Sequence, residues 1–152
     1  MTINKDVKKV LFDAGIGRLI DWLQKRHWTI DIDYCNQDEV QPGNKQVTIN
    51  SRQGIEKQLY SLLHECGHIL VQQNWERYEK NYPAVAKMNC YATVNRQLEK
   101  SSKYKVDILS EEIEAWRRGK SLAGRLGVFI DEEKYNNLAS ECIYSYIQWA
   151  TK

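Results

Sequence analysis

Two of the three histidines in this 152-residue chain stand four residues apart, in the stretch Leu62-Leu63-His64-Glu65-Cys66-Gly67-His68-Ile69-Leu70-Val71. On a helix, residues four apart share a face, so the imidazoles of His64 and His68 can grip one metal ion. Neutral imidazoles suit zinc, with nitrogen–metal distances of about 2.0–2.1 Å. Glu65 sits about 100° round the helix from His64. That places it beside the ion rather than on it, where it can take a proton from a water whose pKa zinc lowers to roughly 7. A metal-bound water with a carboxylate at its side is equipment for hydrolysis. The plainer alternative is a half-buried helix on which the three side chains only hydrogen-bond to neighbours. The surroundings favour the metal: Gly67 lets another element come close, and Leu59, Leu62, Cys66, Ile69 and Leu70 form a core-facing stripe at helical spacing.

A catalytic zinc keeps one position open, so a third protein ligand is expected and a fourth is not. Three acids compete for that place, Glu111, Glu112 and Glu114, and they point in different directions because each residue turns the helix by about 100°. Glu112 shares its face with Ala115, Trp116, Gly119 and Ala123, small enough on the whole to pack closely on the motif helix. Glu114 shares a face with Arg117, Arg118, Ser121 and Arg125, a solvent face, and Glu111 lies between. Glu112 is the preferred ligand and Glu111 the runner-up. Asp107 and Glu141 come next, and the alternative is that all three acids only satisfy a helix N-terminus.

These groups need elements to hold them. Residues from Asp6 to about Arg26 read as an amphipathic helix carrying Val10, Leu11, Ile16, Leu19, Ile20 and Leu23, although Gly15 and Gly17 weaken its centre. Its role is to cover the sheet or the motif helix. Thr29–Tyr34 and Gln46–Asn50 alternate apolar and polar residues, as half-buried strands do, with the turn signal Pro42-Gly43-Asn44 between them. They predict a hairpin or small antiparallel sheet, with Asp31 and Asp33 on its wet face. A free strand edge near the metal would suit an extended substrate. The motif helix is expected over about 53–73.

Residues 74–105 show no sustained period. They hold Trp75, Tyr78, Tyr82, Tyr91 and Tyr104, and from 79 to 105 six cations face two acids. A solvated connector with a short helix near 84–98 is expected, or else a flap facing substrate. Ser110 then reads as the N-cap of a helix with an acidic first turn, ending at Gly127. Asp131 reads as the cap of a last helix, about 132–150. The expected architecture is α+β, a small antiparallel sheet beside a mostly helical body, in one domain spanning 1–152.

The net charge of +2 implies no polyanion partner, and no apolar run approaches the roughly eighteen residues of a membrane span. The N-terminal Met-Thr-Ile-Asn-Lys-Asp carries no apolar leader. The cysteines, at 35, 66, 90 and 142, contain no Cys-x-x-Cys, so they are expected as four free thiols in a reducing cytoplasm, Cys66 as a core residue.

Taken together, "VTIN", the helix "LLHECGHILV" and the later Glu112-Ile113-Glu114-Ala115 resemble the ImmA/IrrE group of small zincin metallopeptidases. "EEIEAWRRG", "LAGRLGVFID" and "CIYSYIQWA" resemble phage-encoded, uncharacterised metallopeptidase-like proteins more closely still. The similarity covers about residues 45–73 and 110–150. It implies a zincin-like fold with the motif on a central helix, His64, His68 and Glu112 as zinc ligands, and Glu65 as general base. It also implies a peptide or protein substrate, a regulatory protein among the candidates, in a bacterial host cytoplasm. The chain departs from the pattern at Trp116, where the group usually has Asn or Asp, so a polar partner of the site is missing there. No helix-turn-helix is attached, so nucleic acid is not an expected partner. The competing expectation is a zinc-stabilised interaction protein that binds a host regulator and cuts nothing, a reading favoured by Trp116 and the tyrosine-rich connector.

Overall fold

The computed structural model describes residues 2–34, 37–91 and 93–152. The chain runs α1 (Lys5–Gln24), β1 (Thr29–Asp33), β2 (Glu39–Gln41), β3 (Gln46–Asn50), α2 (Ile55–Gln72), α3 (Trp75–Asn81), α4 (Pro83–Met88), α5 (Arg96–Glu99), α6 (Ser102–Leu126) and α7 (Glu132–Ala150). It is an α+β molecule, mostly helical, with one small sheet.

The motif helix α2 lies at the centre because most of its surface is apolar: Leu59, Leu62, Leu63 and Cys66 are all but fully buried. The apolar stripe of α1 packs on one side of α2. Gly15 lies in that contact, where a Cβ would meet Val128 at 2.9 Å and Leu59 at 3.3 Å, and α1 continues unbroken through both Gly15 and Gly17. Its buried face holds Phe12, Ile16, Leu19, Trp22 and Leu23. The expected Val10 is instead exposed to solvent.

On the other side α6 crosses α2 at backbone contact. A Cβ on Gly67 would lie 1.9 Å from the Ala115 carbonyl oxygen, and one on Gly119 would lie 2.5 Å from that of Leu63. Only glycine permits this approach. It draws the 112–123 face of α6 onto the motif.

The sheet differs from the expected antiparallel pair. Its order is β1-β3-β2. β1 runs parallel to β3, with Thr29 opposite Gln46 and Asp33 opposite Asn50. The antiparallel partner of β3 is the short β2, with Glu39 opposite Thr48 and Gln41 opposite Gln46. The Pro42-Gly43-Asn44 turn does form, closed by Asn44 N–H to Gln41 O (3.2 Å) and Lys45 N–H to Pro42 O (3.2 Å). It therefore folds β3 back on the residues just before it, and β1 takes the remaining edge. Val47 and Ile49 on the central strand are fully buried. Asp31 and Asp33 are exposed, as expected of a wet face.

Two further expectations are corrected. The first half of the 74–105 segment is not a solvated connector: Tyr78, Tyr82, Val85 and Ala86 join Val71 of α2 in a second apolar cluster against Tyr104 and Ile108 of α6, whereas the described residues from 89 to 101 are mostly exposed, as expected. Asn74 caps α3, accepting from Arg77 N–H, and Pro83 opens α4. The helix expected near 84–98 is thus two helices, and Ala92 between them lies outside the described residues. Secondly, Ser110 is not a cap. The helix begins eight residues earlier, with Ser101 accepting from Tyr104 N–H (3.2 Å). Ser110-Glu111-Glu112 resembles a helix start locally, but Tyr104 and Ile108, one turn apart, pack on the second cluster and extend α6 backward.

The other end of α6 is as expected. Gly127 takes φ 65, a left-handed C-terminal position. Arg18 of α1 donates to the carbonyls of Leu126 (3.1 Å) and Gly127 (2.5 Å), a cation at a helix C-terminus. Asp131 caps α7. Two phenols seat that helix: Asp131 N–H donates to Tyr60 Oη (2.8 Å), and Tyr135 OH donates to the Trp116 carbonyl (2.6 Å). Among the described residues, no helix is long and apolar enough to cross a membrane.

Candidate metal centre

His64 and His68 emerge one turn apart from the face of α2 that meets α6, and Glu112 projects between them. Glu112 Oε2 lies 3.0 Å from His64 Nε2, and its Oε1 lies 3.0 Å from His68 Nε2. The two Nε2 atoms are 3.2 Å apart. One ligand atom from each of the three residues falls within 4.8 Å of the others, so the group could hold a metal ion. Ligands at about 2.1 Å round a tetrahedral zinc are roughly 3.4 Å from one another, so the two Nε2 atoms need to part by only a few tenths of an ångström.

Glu112, the ligand preferred on sequence, is the acid set against the Nε2 atoms of both histidines. Glu114 instead holds Arg117 (2.5 and 2.9 Å) and Arg118 (2.9 Å) at the surface. Asp107 is occupied in capping α4, accepting from Ala84 N–H at 2.7 Å, and Glu141 is exposed.

Glu111 has a role that the sequence reading missed. Its Oε2 accepts from His68 Nδ1 at 2.6 Å and from Gln72 Nε2 at 3.1 Å, and its Oε1 accepts from the Tyr78 hydroxyl. An ionised carboxylate can only accept, so Nδ1 must carry the proton and Nε2 is left for the ion. This carboxylate–imidazole pairing fixes the tautomer and ring of a metal-binding histidine and raises its basicity. The one sequence signal for this role is the adjacency of Glu111 and Glu112, whose carboxylates reach two sides of the same imidazole. Tyr78 carried no such signal, since it comes from α3, across a loop.

His64 is held differently. Its ring stacks on Trp116, with centroids 4.2 Å apart and planes at 20°. Its buried Nδ1 finds no hydrogen-bond partner among the described residues, and neither does Trp116 Nε1. Trp116 therefore supplies packing where a polar side chain would have supplied a hydrogen bond.

Burial and charge set the protonation of the group. Burial pulls the His64 imidazole below its ordinary value. Burial also acts against a charge on His68, but the hydrogen bonds to Glu111 and Glu112 outweigh it and raise His68 to about 10. Burial opposes ionisation of Glu112 as well, yet the bonds from both histidines hold it at about 2. Glu65, only 6 % exposed, is pushed up to about 8 by burial, with His68 opposing. Without metal, the group is thus an imidazolium between two carboxylates, with a protonated Glu65 alongside at neutral pH.

Two more groups complete the surroundings. Asp38, which tethers the start of β2 by accepting from Asn50 N–H (2.7 Å), adds negative potential at His64 and Glu65. Tyr146 of α7 brings its phenol to Glu112. The expected core role of Cys66 agrees with its full burial. Cys66, Cys90 and Cys142 are free thiols, and Cys35 lies outside the described residues. No family model matches the chain, and no curated protein or solved structure matches it.

Proposed function

We propose that this chain is a zinc-dependent peptidase of the ImmA/IrrE kind, acting on a peptide or protein substrate in a bacterial cytoplasm. The observation that carries the reading is the convergence of His64, His68 and Glu112 within 4.8 Å, with the buried Glu65 on the same helix interacting electrostatically with His68 and Glu112. In this reading the three side chains hold the ion through His64 Nε2, His68 Nε2 and a Glu112 oxygen. When bound, zinc supplies Lewis acidity toward the scissile carbonyl and an attacking water at neutral pH. Glu65 takes the proton of that water on its carboxylate and returns it to the leaving amine. A nearby cation favours the ionised form of Glu65, so loading the site prepares the base. Glu111 keeps His68 in the binding tautomer, with Tyr78 and Gln72 holding Glu111 in turn.

The test compares wild type with Glu65→Gln, both assayed for metal content and for cleavage of unfolded casein. The expected result is one zinc per chain in each and hydrolysis in wild type alone. Loss of zinc in His64→Ala and His68→Ala checks the ligands. Trp116 against His64, with its unpartnered Nδ1, favours a second reading, a zinc-stabilised protein that binds a regulator without cutting it. Zinc in both proteins and hydrolysis in neither would decide for that reading.

A further inference from the structure

A groove of about 790 Å³ opens beside the metal group, between β2 and the α3–α4 segment. Val40, Tyr78, Met88, Tyr91, Val94 and Ile108 give it an apolar and aromatic wall, which Asn89 and Thr93 interrupt with polar side chains. Gln72 and Glu111 form its polar edge, and they join it to the site, because Glu111 bonds His68 directly. We propose that this groove is a specificity pocket that takes a large apolar or aromatic side chain from an extended peptide. The inference rests on the peptidase reading for its biological sense, but the groove can be tested without it.

Three observations select that occupant. First, β2 is a terminal strand of the sheet, and no strand among the described residues pairs with its outer edge. Val40, the middle residue of β2, lines the groove. A peptide added along that edge makes main-chain hydrogen bonds and turns alternate side chains to one face, at intervals of about 6.6 Å. One of those side chains would enter the groove. Second, Glu111 sets a carboxylate at the polar edge, accepting from Gln72, His68 and Tyr78, and its charge repels an acidic side chain. Third, Tyr91 and Val94 stand 43 % and 64 % exposed at the rim, apolar surface that a bound side chain would cover.

The test is an NMR titration of the full chain, labelled with nitrogen-15, with and without zinc. The probes are two blocked tetrapeptides, one phenylalanine among alanines and its aspartate counterpart. The expected result is amide shifts centred on Val40, Met88, Tyr91 and Val94, with the phenylalanine peptide binding roughly tenfold or more tightly, the ratio that burying such a side chain supplies. A double variant, Tyr91→Ser with Val94→Asp, changes exposed positions only. It should keep the folded spectrum and lose most of the preference. Equal affinities, shifts elsewhere, or no shifts at all would overturn the pocket. Shifts at these amides that grow with protein concentration alone would assign the groove to a second copy of the chain and overturn it too. Binding with the expected preference, but no hydrolysis by wild type, would remove the peptidase reading and leave the pocket. Hydrolysis that depends on Glu65 with no phenylalanine preference would do the reverse.

Discussion

Gly67→Ala tests the link between helix packing and the metal group. The added Cβ would lie 1.9 Å from the Ala115 carbonyl oxygen, where real contacts stay at 3.0 Å or more, so the crossing must open by about 1.1 Å. The obstacle is backbone, and no side-chain rotation relieves it. His68 adjoins Gly67, and Glu112 lies one turn before Ala115 on the same face of α6, so the opening is felt at the spacings of 3.0 Å between Glu112 and the two imidazoles. Metal–ligand distances tolerate about 0.2 Å. Zinc affinity should therefore fall by at least the roughly 10- to 100-fold that follows from losing a supporting contact. Stability should fall as well: overpacking costs about 1–3 kcal/mol, against a helix-propensity gain of up to about 1 kcal/mol. The net loss of up to about 2 kcal/mol corresponds to a fall of up to roughly 8 °C in Tm for a domain of this size. Gly124→Ala is the control, because its Cβ meets nothing within 4 Å and should stabilise by about 0.4–1 kcal/mol. Calorimetry of the metal-free proteins and zinc titration of each provide the readings. A Gly67→Ala protein that melts at or above wild type with unchanged zinc affinity would refute the argument.

Other predictions concern the charges. Glu111→Ala should lower zinc affinity by roughly 10- to 100-fold, because His68 loses the acceptor at its Nδ1, whereas Glu114→Ala should leave it unchanged; zinc titrations that rank the two equally would contradict this. Zinc must displace the proton held on His68 at about 10, so affinity should rise with pH by about tenfold per unit through the neutral range, read by titration between pH 6 and 9, and a flat profile would count against the Nε2 site. Glu65 at about 8 keeps, in the folded metal-free chain, a proton that the unfolded chain releases near its ordinary 4.5. Its contribution is therefore fully present below about 4.5 and is lost as pH rises to about 8, and Glu65→Gln should raise metal-free stability at pH 8 by on the order of a few kcal/mol relative to pH 5. Urea unfolding at the two pH values checks this, and identical pH dependence in both proteins would refute it.

What the sequence revealed and what it hid follow from the range of the interactions. The histidine pair and the small-residue stripe of α6 are periodic features within one helix, so spacing alone places Glu112 on the face that meets α2. Gly67 and Gly119 were legible for the same reason, as residues without a Cβ on facing stripes. Glu111 was misjudged because its surroundings come from far along the chain. Ser110 supplies a cap-like residue and the acids a suitable first turn, so the local signal places Glu111 at an exposed helix start, where little would depend on it. The start of α6 is instead set by Tyr104 and Ile108 packing on Tyr78, Tyr82 and Val85, contacts with no sequence period. The sheet was misjudged for a related reason. A three-residue strand of half-buried residues carries too little alternation to be seen, yet β2 takes the edge of β3 that β1 was expected to fill.

The two histidines of one motif are thus oriented by different physics, and the difference bears on what the site can do. A carboxylate holds His68 from behind, which raises its basicity and fixes which nitrogen faces the ion. An indole plane holds His64, which fixes the ring but leaves the buried Nδ1 unpartnered and its pKa low. Such a pair grips unequally. On the proposed zinc reading, His68 would compete with protons for the ion, whereas His64, its pKa lowered by burial, would do so much less. The pH dependence of metal uptake therefore belongs to His68 and its Glu111 partner, and the positional stability of the site to Trp116 and the α2–α6 crossing. Substitution at Glu111 should flatten the pH profile, while substitution at Trp116 should lower affinity at every pH alike. Charge and packing contributions to one metal group can in this way be read separately from the same titration.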